Sequence, residues 1–258
     1  EVKGIFKSFG GVQALKGVDF ALRSGEVHAL VGENGAGKST LIKIVSGALQ
    51  PDGGEIFYLG KPVAIDSPRK AQEMGIATVY QEPLVYNELS AMENIFLGRE
   101  IRRPWGGIDW KAEEEKARSL FASLDLPSHF LKEPMGELSV GLQQLVLIAK
   151  ALAYESRVII FDEPTAILTE HETERLFEII RKLRERGVGI IYISHRLEEI
   201  FRIADRVTVM RDGEIRGTFP IGEVNRDRIV ELMAGKLLVE TVERKRGRGE
   251  KPVIVVEN

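Results

Sequence analysis

Cysteine is absent from the 258 residues of this chain, and only four histidines occur. Without cysteine the chain has no disulfides, no thiolate catalysis and no thiolate metal sites, and the histidines lack the paired spacing of metal ligands. No apolar run approaches the ~18 residues that span a bilayer, and the N-terminus has no basic-then-apolar signal region. We therefore expect a soluble, cytoplasmic chain.

An excess of basic residues is also missing. Lysine and arginine number 36 against 39 aspartates and glutamates, which gives a net charge of −3. No overall positive field is available to attract nucleic acid. Aromatic residues make up only 7% of the chain, whereas glycine is abundant with 26 residues, a composition typical of an α/β protein with many loops. The length suits one large domain, or one domain and the start of another.

The most informative stretch is residues 32–40, Gly-Glu-Asn-Gly-Ala-Gly-Lys-Ser-Thr, between an apolar segment at 27–31 and an amphipathic segment at 41–49. A strand, a glycine-rich loop and a helix in this order form a phosphate cradle. Lys38 would supply charge to the β- and γ-phosphates, and the Ser39 hydroxyl is a natural Mg²⁺ ligand. The predicted phosphate-binding residues are Gly32, Asn34, Gly35, Ala36, Gly37, Lys38, Ser39 and Thr40.

Two further apolar segments predict buried parallel strands that end in polar residues. The strand at 158–162 delivers Asp162 and Glu163 to the carboxyl edge of the sheet, where ligands bind. Asp162 could hold Mg²⁺ beside Ser39, and Glu163 could polarise an attacking water. The strand at 189–193 leads to His195, which could donate to a γ-phosphate oxygen or cap the next helix.

Several other positions have two interpretations on their residues alone. Phe9 could stack on a purine or serve as a core or turn aromatic. Gln81, which ends an apolar strand just before a proline, is by itself most simply a surface residue. Ser139 and Gly141 open a helix with a hydroxyl and free N–H groups, which suits an anion, although an ordinary N-cap is the simpler interpretation.

The remaining pattern predicts an α/β fold with a mostly parallel sheet, an antiparallel β subdomain and a helical subdomain inserted at about 89–152. The individual elements are antiparallel strands within 4–22, a hairpin from 55, helices at 68–74, 91–98, 110–126 and 141–153, a capping box at 169–172, a hairpin at 207–219 and a last helix at 226–233. Residues 1–240 are predicted to form one domain. Residues 241–258 are predicted to be a linker and the first strand of a second, missing domain.

The phosphate loop, the glutamine-ended strand, the Leu-Ser-x-Gly helix start, the acid-ended strand and the histidine-ended strand occur in one order that resembles the ATP-binding cassette (ABC) ATPases. The resemblance covers the chain through about residue 237 and implies a P-loop NTPase core that binds ATP and Mg²⁺. It also implies roles for single residues. Phe9 would stack on adenine, Gln81 would sense Mg²⁺ and the lytic water, Glu163 would be the general base and His195 the γ-phosphate contact.

In this family two cassettes close head to tail around two ATP molecules, so Ser139 and Gly141 would cover the phosphate loop of a partner cassette. Two segments depart from the family pattern. Leu-Ser-Gly-Gly-Gln is replaced by Leu-Ser-Val-Gly-Leu at 138–142, and Ser-Ala-Leu-Asp by Ala-Ile-Leu-Thr at 166–169. Both variants resemble the first half of the tandem ATPases of bacterial sugar importers of the ribose, xylose and galactose type.

That resemblance implies a domain that hydrolyses ATP to power monosaccharide import from the cytoplasmic face of the inner membrane. Its partners would be a second ABC domain of the same natural chain, transmembrane permease subunits and, indirectly, a sugar-binding protein, with no nucleic acid. One rival is a cassette that acts on DNA or ribosomes, which the lack of a basic patch disfavours. Another is a nucleotide-gated interaction module without hydrolysis, which Glu163 and His195 disfavour. No Asn-Lys-x-Asp guanine reader occurs in the chain.

Overall fold

The computed structural model describes residues 1–81, 84–154 and 156–235. The predicted linker and strand at 241–258 lie outside these residues. The helices are α1 (Lys38–Val45), α2 (Pro68–Glu73), α3 (Ala91–Phe96), α4 (Trp110–Ser123), α5 (Val140–Ala153), α6 (Glu170–Glu185), α7 (Leu197–Ile203) and α8 (Arg226–Ala234). The strands are β1 (Val2–Phe9), β2 (Val12–Phe20), β3 (Val27–Val31), β4 (Gly53–Tyr58), β5 (Lys61–Val63), β6 (Ile76–Val79), β7 (Val158–Asp162), β8 (Gly189–Ile193), β9 (Arg206–Arg211) and β10 (Glu214–Pro220).

The larger sheet has the strand order β10-β9-β3-β8-β7-β6. Its neighbouring strands from β6 to β9 pair in parallel, and β10 runs antiparallel to β9 at one edge. Every residue of β3 and β8 is buried, which explains why both are largely apolar in sequence. The parallel register aligns the carboxyl ends of β3, β8 and β7, because Ile193 of β8 pairs with both Leu30 and Asp162.

The smaller sheet is antiparallel, with the order β2-β1-β4-β5. Strands β1 and β2 join through Gly10 and Gly11, both of which have positive φ angles. The predicted antiparallel strands at the N-terminus and the hairpin from 55 are therefore confirmed. A buried cluster that includes Ile5, Leu15 and Leu41 packs this sheet and α1 against one face of the parallel sheet.

Helices α3, α4 and α5 form the inserted helical subdomain and confirm the predicted helices. They pack with α6 and α7 in a second buried cluster on the other face of the parallel sheet. Helix α4 ends at Ser123 rather than continuing to 126, because Leu124 leaves the helix and Asp125 adopts a positive φ of 54°. Within the described ranges, no helix is both long and apolar enough to span a bilayer.

One polar group is fully enclosed where β3 meets β9. The His28 ring is 1% exposed, with Nε2 2.7 Å from Thr208 Oγ1 and Nδ1 2.9 Å from the Ala21 carbonyl oxygen. Arg206 Nη2 lies 3.0 Å from the same Nδ1, and its guanidinium pairs with Glu26 at 2.5 Å. Burial first, and the Arg206 charge second, lower the pKa of His28 from its ordinary 6.5 to about 4.

This lowered pKa predicts an acid-sensitive contribution to stability. Between pH 6.5 and pH of about 4 His28 is protonated in the unfolded chain but not in the folded chain. The stability that the neutral, buried ring contributes above pH 6.5 is therefore lost as the pH falls towards 4. When the pH is lowered from about 7.5 to about 5, we expect His28 alone to decrease the free energy of unfolding by about 2 kcal/mol. Urea unfolding at both pH values should show a smaller loss for His28→Gln than for the wild type. The exposed control His129→Gln should keep the wild-type loss, and an equal loss in His28→Gln would contradict the assignment.

Candidate active site

The predicted phosphate cradle is formed by the turn between β3 and α1. Helix α1 begins at Lys38, after Gly37 with a φ of 103°. Gly35 also has a positive φ, of 84°, and Ala36 N–H donates to the Glu33 carbonyl oxygen at 3.1 Å. Ser39 and the loop residues Asn34 and Gly35 are exposed, so the first turn of α1 and its free N–H groups are open to a ligand.

Three glycines let this loop pack directly against backbone from both sheets. A Cβ on Gly32 would lie 2.4 Å from the Met210 carbonyl oxygen of β9, and one on Gly37 would lie 2.7 Å from the Ala14 carbonyl oxygen of β2. Gly213, in the turn between β9 and β10, donates its N–H to the Ala36 carbonyl oxygen at 3.1 Å. Its own missing Cβ would lie 2.8 Å from the same Ala14 oxygen. The loop is therefore fixed at the point where the two sheets meet.

Lys38 lies over the loop. Its Nζ donates to the carbonyl oxygens of Gly32 at 2.8 Å and Glu33 at 3.0 Å. Burial lowers the pKa of the ammonium group, while the negative charges of Glu163 and Asp162 act in the opposite direction. The two carboxylates are thus within electrostatic reach of Lys38, as predicted for groups that share one ligand.

Asp162 is the last residue of β7, and Glu163 follows it with a φ of 49°, which is unusual for a residue with a side chain. The Glu163 N–H donates to the Ile193 carbonyl oxygen of β8 at 2.9 Å, which holds the turn against the neighbouring strand. Burial raises the pKa of Asp162 and the Glu163 charge raises it further, whereas Lys38 and Lys43 lower it. A bound cation would relieve this crowding of two negative charges.

His195 follows β8 at the same edge of the sheet. Its Nδ1 lies 3.3 Å from Glu163 Oε2, and 62% of its side chain is exposed. Helix α7 has Arg196 as its N-cap residue without a side-chain cap, so the alternative role of His195 as a helix cap is wrong. The structure thus brings Lys38, Asp162, Glu163 and His195 together, and the ring of His195 is accessible to a ligand.

The side chain of Phe9 is 48% exposed at the tip of the β1–β2 hairpin, where Phe9 pairs with Val12. Lys7 Nζ lies 5.7 Å from the ring centroid. The same hairpin contacts the cradle through Ala14, next to Gly37. Phe9 is therefore not a core residue, and about half of its side chain is accessible to a ligand.

Gln81 is exposed and follows β6, the strand that pairs with β7 at the edge of the sheet. The residue before it, Tyr80, accepts a hydrogen bond through its carbonyl oxygen from Gln144 Nε2 of α5 at 3.1 Å. Gln144 is fully buried. The segment that carries Gln81 is therefore connected to the helical subdomain as well as to the sheet.

Ser139 and Gly141 lie against α6 rather than in the cradle of their own chain. Ser139 is the N-cap of α5, accepts from the Leu142 N–H at 3.3 Å and lies with its Oγ 3.3 Å from Glu172 Oε1. A Cβ on Gly141 would lie 2.1 Å from that carboxylate oxygen. A carboxylate of α6 thus covers the start of α5, and the interpretation of Ser139 as an N-cap is confirmed.

Glu172 also accepts the backbone N–H and hydroxyl of Thr169, at 3.0 and 2.9 Å, in the predicted capping box. Burial opposes the charge of Glu172, but the donors on Thr169 and Ser139 bring its pKa below the ordinary value. The sequence predicted the capping box but not the contact of Glu172 with α5.

A second residue that the sequence did not point to is Glu199 of α7, a buried carboxylate that belongs to no motif. Its only signal is an acidic residue in the first turn of a helix, which is common.

The donor set fits a nucleoside triphosphate with Mg²⁺. The first turn of α1 has no side-chain cap, so its N–H groups are free for an anion, and Lys38 adds an ammonium group. Among the described residues, no group of three or more histidine or acidic side chains could hold a metal ion on its own. Mg²⁺ commonly takes one or two protein oxygens and completes its shell with phosphate oxygens and water, which suits Ser39 and Asp162.

A phosphate cradle at the carboxyl edge of a parallel sheet, with antiparallel and helical subdomains beside it, defines a nucleotide-binding domain of the P-loop NTPase class. The structure of MJ1267 in its ADP conformation, an ATP-binding cassette of an ABC transporter, is similar to this chain, with a TM-score of 0.79 and 30% identity over 91% of this chain and 98% of that one. A dimeric cassette, MJ0796 of a bacterial ABC transporter, matches with a TM-score of 0.73 and 25% identity over 85% and 97%.

Residues 15–166 match the ABC transporter family, and the chain belongs to that family. A ribose import ATP-binding protein of Rubrobacter xylanophilus is 53% identical over 94% of this chain. A ribose import ATP-binding protein of Chromobacterium violaceum is 46% identical over the whole chain. The chain spans about half the length of these relatives, 47% of the first and 51% of the second. The predicted fold class and family are therefore confirmed.

The packing of the loop predicts unequal effects for two glycine substitutions. A Cβ on Gly35 would meet no atom within 4 Å, so Gly35→Ala should lower the free energy of unfolding only through the unfavourable positive φ, by about 1–2 kcal/mol. Gly37→Ala should cost a further ~1–3 kcal/mol, because its Cβ would meet the Ala14 carbonyl oxygen, which is backbone and cannot rotate away. Urea unfolding without nucleotide measures both losses. Equal losses for the two variants would show that the cradle is not held by this contact.

Proposed function

We propose that this chain is the N-terminal nucleotide-binding domain of a longer ABC-type ATPase that hydrolyses ATP to power monosaccharide import. The observation that supports hydrolysis is the convergence of Lys38, Asp162, Glu163 and His195 at one sheet edge. The two relatives named above, at 53% and 46% identity, are ribose import ATP-binding proteins, which supports a sugar as cargo. The chain spans about half of each relative, which supports a second domain in the same natural protein.

In this proposal the cradle binds the triphosphate through the loop N–H groups and Lys38. Lys38 already holds two loop carbonyl oxygens, so its ammonium is positioned before nucleotide arrives. The exposed ring of Phe9 stacks on the adenine, a role favoured by the position of its hairpin beside Gly37. Asn34, Gly35, Ala36 and Thr40 complete the phosphate contacts within the same turn.

Ser39 and Asp162 are the proposed protein ligands of Mg²⁺, with Gln81 reaching the same ion from the end of β6. When bound, Mg²⁺ would neutralise charge on the β- and γ-phosphate oxygens. The raised pKa of Asp162 reflects burial and the nearby Glu163, two effects that a cation at this position would offset. Gln81 is exposed after β6, which supports this role.

Glu163 is the proposed general base, which orients water for in-line attack and accepts its proton. Glu163 follows β7 with a positive φ, and the hydrogen bond from its N–H to the Ile193 carbonyl oxygen keeps this turn in place. The Nδ1 of His195 lies 3.3 Å from the Glu163 carboxylate, and its exposed ring would contact a γ-phosphate oxygen. The two side chains would thus contact the water and the phosphate that it attacks.

A second cassette is proposed to complete the site, with Ser139 and Gly141 of this chain covering the partner cradle. Both lie away from the cradle of their own chain, which favours a role in another one. Each of the two segments that depart from the family pattern contains an exposed apolar side chain: Val140 is 42% exposed and Ile167 is 44% exposed. Contact with a second cassette would remove this apolar surface from water.

The further partners in this proposal are permease subunits in the membrane and, through them, a sugar-binding protein. The domain would then work as a peripheral protein on the cytoplasmic side of the inner membrane. ATP hydrolysis would reopen the pair of cassettes and drive the permease. The sugar itself would be selected by those partners, since the proposed site residues of this domain all serve a nucleotide.

The general-base role predicts a separation of turnover from binding. Glu163→Gln keeps the shape of the side chain but cannot accept the proton, so turnover should fall on the order of a hundred- to ten-thousand-fold while MgATP binding stays intact. Steady-state ATPase assays and calorimetric titration measure the two quantities. The exposed carboxylate variant Glu170→Gln should behave like the wild type, and unchanged turnover in Glu163→Gln would rule out the role.

The proposal of two cooperating cassettes predicts how activity depends on concentration. Lys38→Ala should lose nucleotide affinity and serves as the blank. If two copies of the chain can close around ATP, specific MgATPase activity above this blank should rise with protein concentration. Flat activity near the blank despite tight ATP binding would show that the second domain of the natural protein is required. Flat activity without ATP binding would contradict the proposed function.

A further inference from the structure

A buried carboxylate lies directly behind the edge that carries Glu163 and His195. Glu199, in the first turn of α7, is only 6% exposed. Removal of a carboxylate from water is unfavourable unless protein donors replace the lost hydration. The groups that donate to Glu199 therefore indicate what its burial achieves.

Four side chains supply those donors. The Thr165 hydroxyl lies 2.8 and 2.9 Å from the two carboxylate oxygens, and the Tyr192 hydroxyl donates to Oε2 at 2.8 Å. The Ser194 hydroxyl donates to Oε2 at 3.0 Å, and Arg196 Nη1 lies 3.4 Å from Oε1. Both oxygens of Glu199 are thus engaged with donors from two separate segments of the chain.

These donors lie next to the proposed reacting groups. Thr165 is two residues after Glu163, and Ser194 and Arg196 flank His195 on either side. The Arg196 N–H also donates to Ser194 Oγ at 3.0 Å, which closes the turn around the histidine. One carboxylate therefore fastens the loop after β7 to the loop after β8.

We propose that Glu199 is a positioning residue that fixes Glu163 and His195 relative to each other through the two loops it joins. This role of Glu199 rests on the proposed function, in which Glu163 and His195 are the side chains that contact the water and the phosphate. Glu199 faces the interior and acts only through its neighbours. The separation of 3.3 Å between His195 Nδ1 and Glu163 Oε2 is the distance that it would maintain.

The charge of Glu199, and not only its size, matters in this arrangement. Burial raises the pKa of Tyr192, and the adjacent Glu199 charge raises it further, so the phenol remains a donor. Arg196 can only donate as well. In Glu199→Gln one of the two accepting oxygens would be replaced by an NH₂ group, which cannot accept a hydrogen bond from the surrounding donors. The remaining hydrogen bonds would no longer be strengthened by the negative charge. The two loops would then be held less firmly.

The test compares Glu199→Gln with Glu198→Gln, its exposed neighbour, which pairs with Arg226 at 2.7 Å on the surface. We expect kcat of Glu199→Gln to fall roughly ten- to a hundred-fold, with an unchanged dissociation constant for MgATP. The Glu198→Gln control should match the wild type in both. A purely structural role would instead lower the thermal midpoint and the fraction of folded protein without changing kcat per folded molecule.

A second pair of variants separates the hydroxyl of Thr165 from its volume. Thr165→Val keeps the shape and removes the hydrogen bonds, so kcat should fall in the same direction as in Glu199→Gln. Thr165→Ser restores the hydroxyl and should recover most of the turnover. Equal turnover in Thr165→Val and Thr165→Ser would overturn the proposal, as would a wild-type kcat in Glu199→Gln.

A measurement without turnover keeps this inference separate from the proposed function. The imidazole resonance of His195 can be assigned by its loss in His195→Gln, since the chain has only four histidines. Glu199→Gln should shift or broaden this resonance and leave those of His129 and His171 unmoved. An unmoved His195 resonance would overturn the inference. If the wild type neither bound nor hydrolysed ATP, the proposed function would fail, and the resonance would still decide the role of Glu199.

Discussion

The close packing of backbone against backbone at the phosphate loop is the constraint on which the rest of the structure depends. Gly32 lies against β9 of the parallel sheet and Gly37 against β2 of the antiparallel sheet. Any Cβ at these positions would separate the loop from one of the sheets. The two sheets therefore meet at the cradle, and the turn at Gly213 fixes it from a third side. A binding loop held in this way is organised before its ligand arrives.

The charges around the cradle follow from the parallel register. Because Ile193 pairs with both Leu30 and Asp162, the ends of β3, β7 and β8 form one edge, and their side chains share it. Lys38 and Asp162 are each shifted in pKa first by burial and then by the other charges of this edge. The partly desolvated setting would strengthen each electrostatic interaction with a bound nucleotide relative to the same interaction in water.

The sequence predicted the elements and residues whose signal is local. The glycine spacing of the cradle, the acids at the end of β7 and the histidine after β8 could all be predicted, because each comes at the end of a largely apolar strand. The tertiary contacts of Glu172 and Glu199 could not be predicted, because their partners Ser139 and Thr165 are 33 and 34 residues away in sequence. An acidic residue in a first helical turn is already explained by the helix dipole, so its pattern gives no reason to expect a tertiary partner.

The cradle and the start of α5, the two proposed phosphate contacts of the chain, differ in what a ligand would have to displace. In the cradle the first-turn N–H groups of α1 are open, and Lys38 rests on neutral carbonyl oxygens that a phosphate outcompetes. At the start of α5 the Glu172 carboxylate already lies against Gly141 and beside the Ser139 hydroxyl. A phosphate brought there by a second cassette would meet a negative charge and would have to exchange with it. In the proposed mechanism, nucleotide binding within the chain and closure on a partner would therefore make separate energetic demands, and only the second would require α6 to release α5.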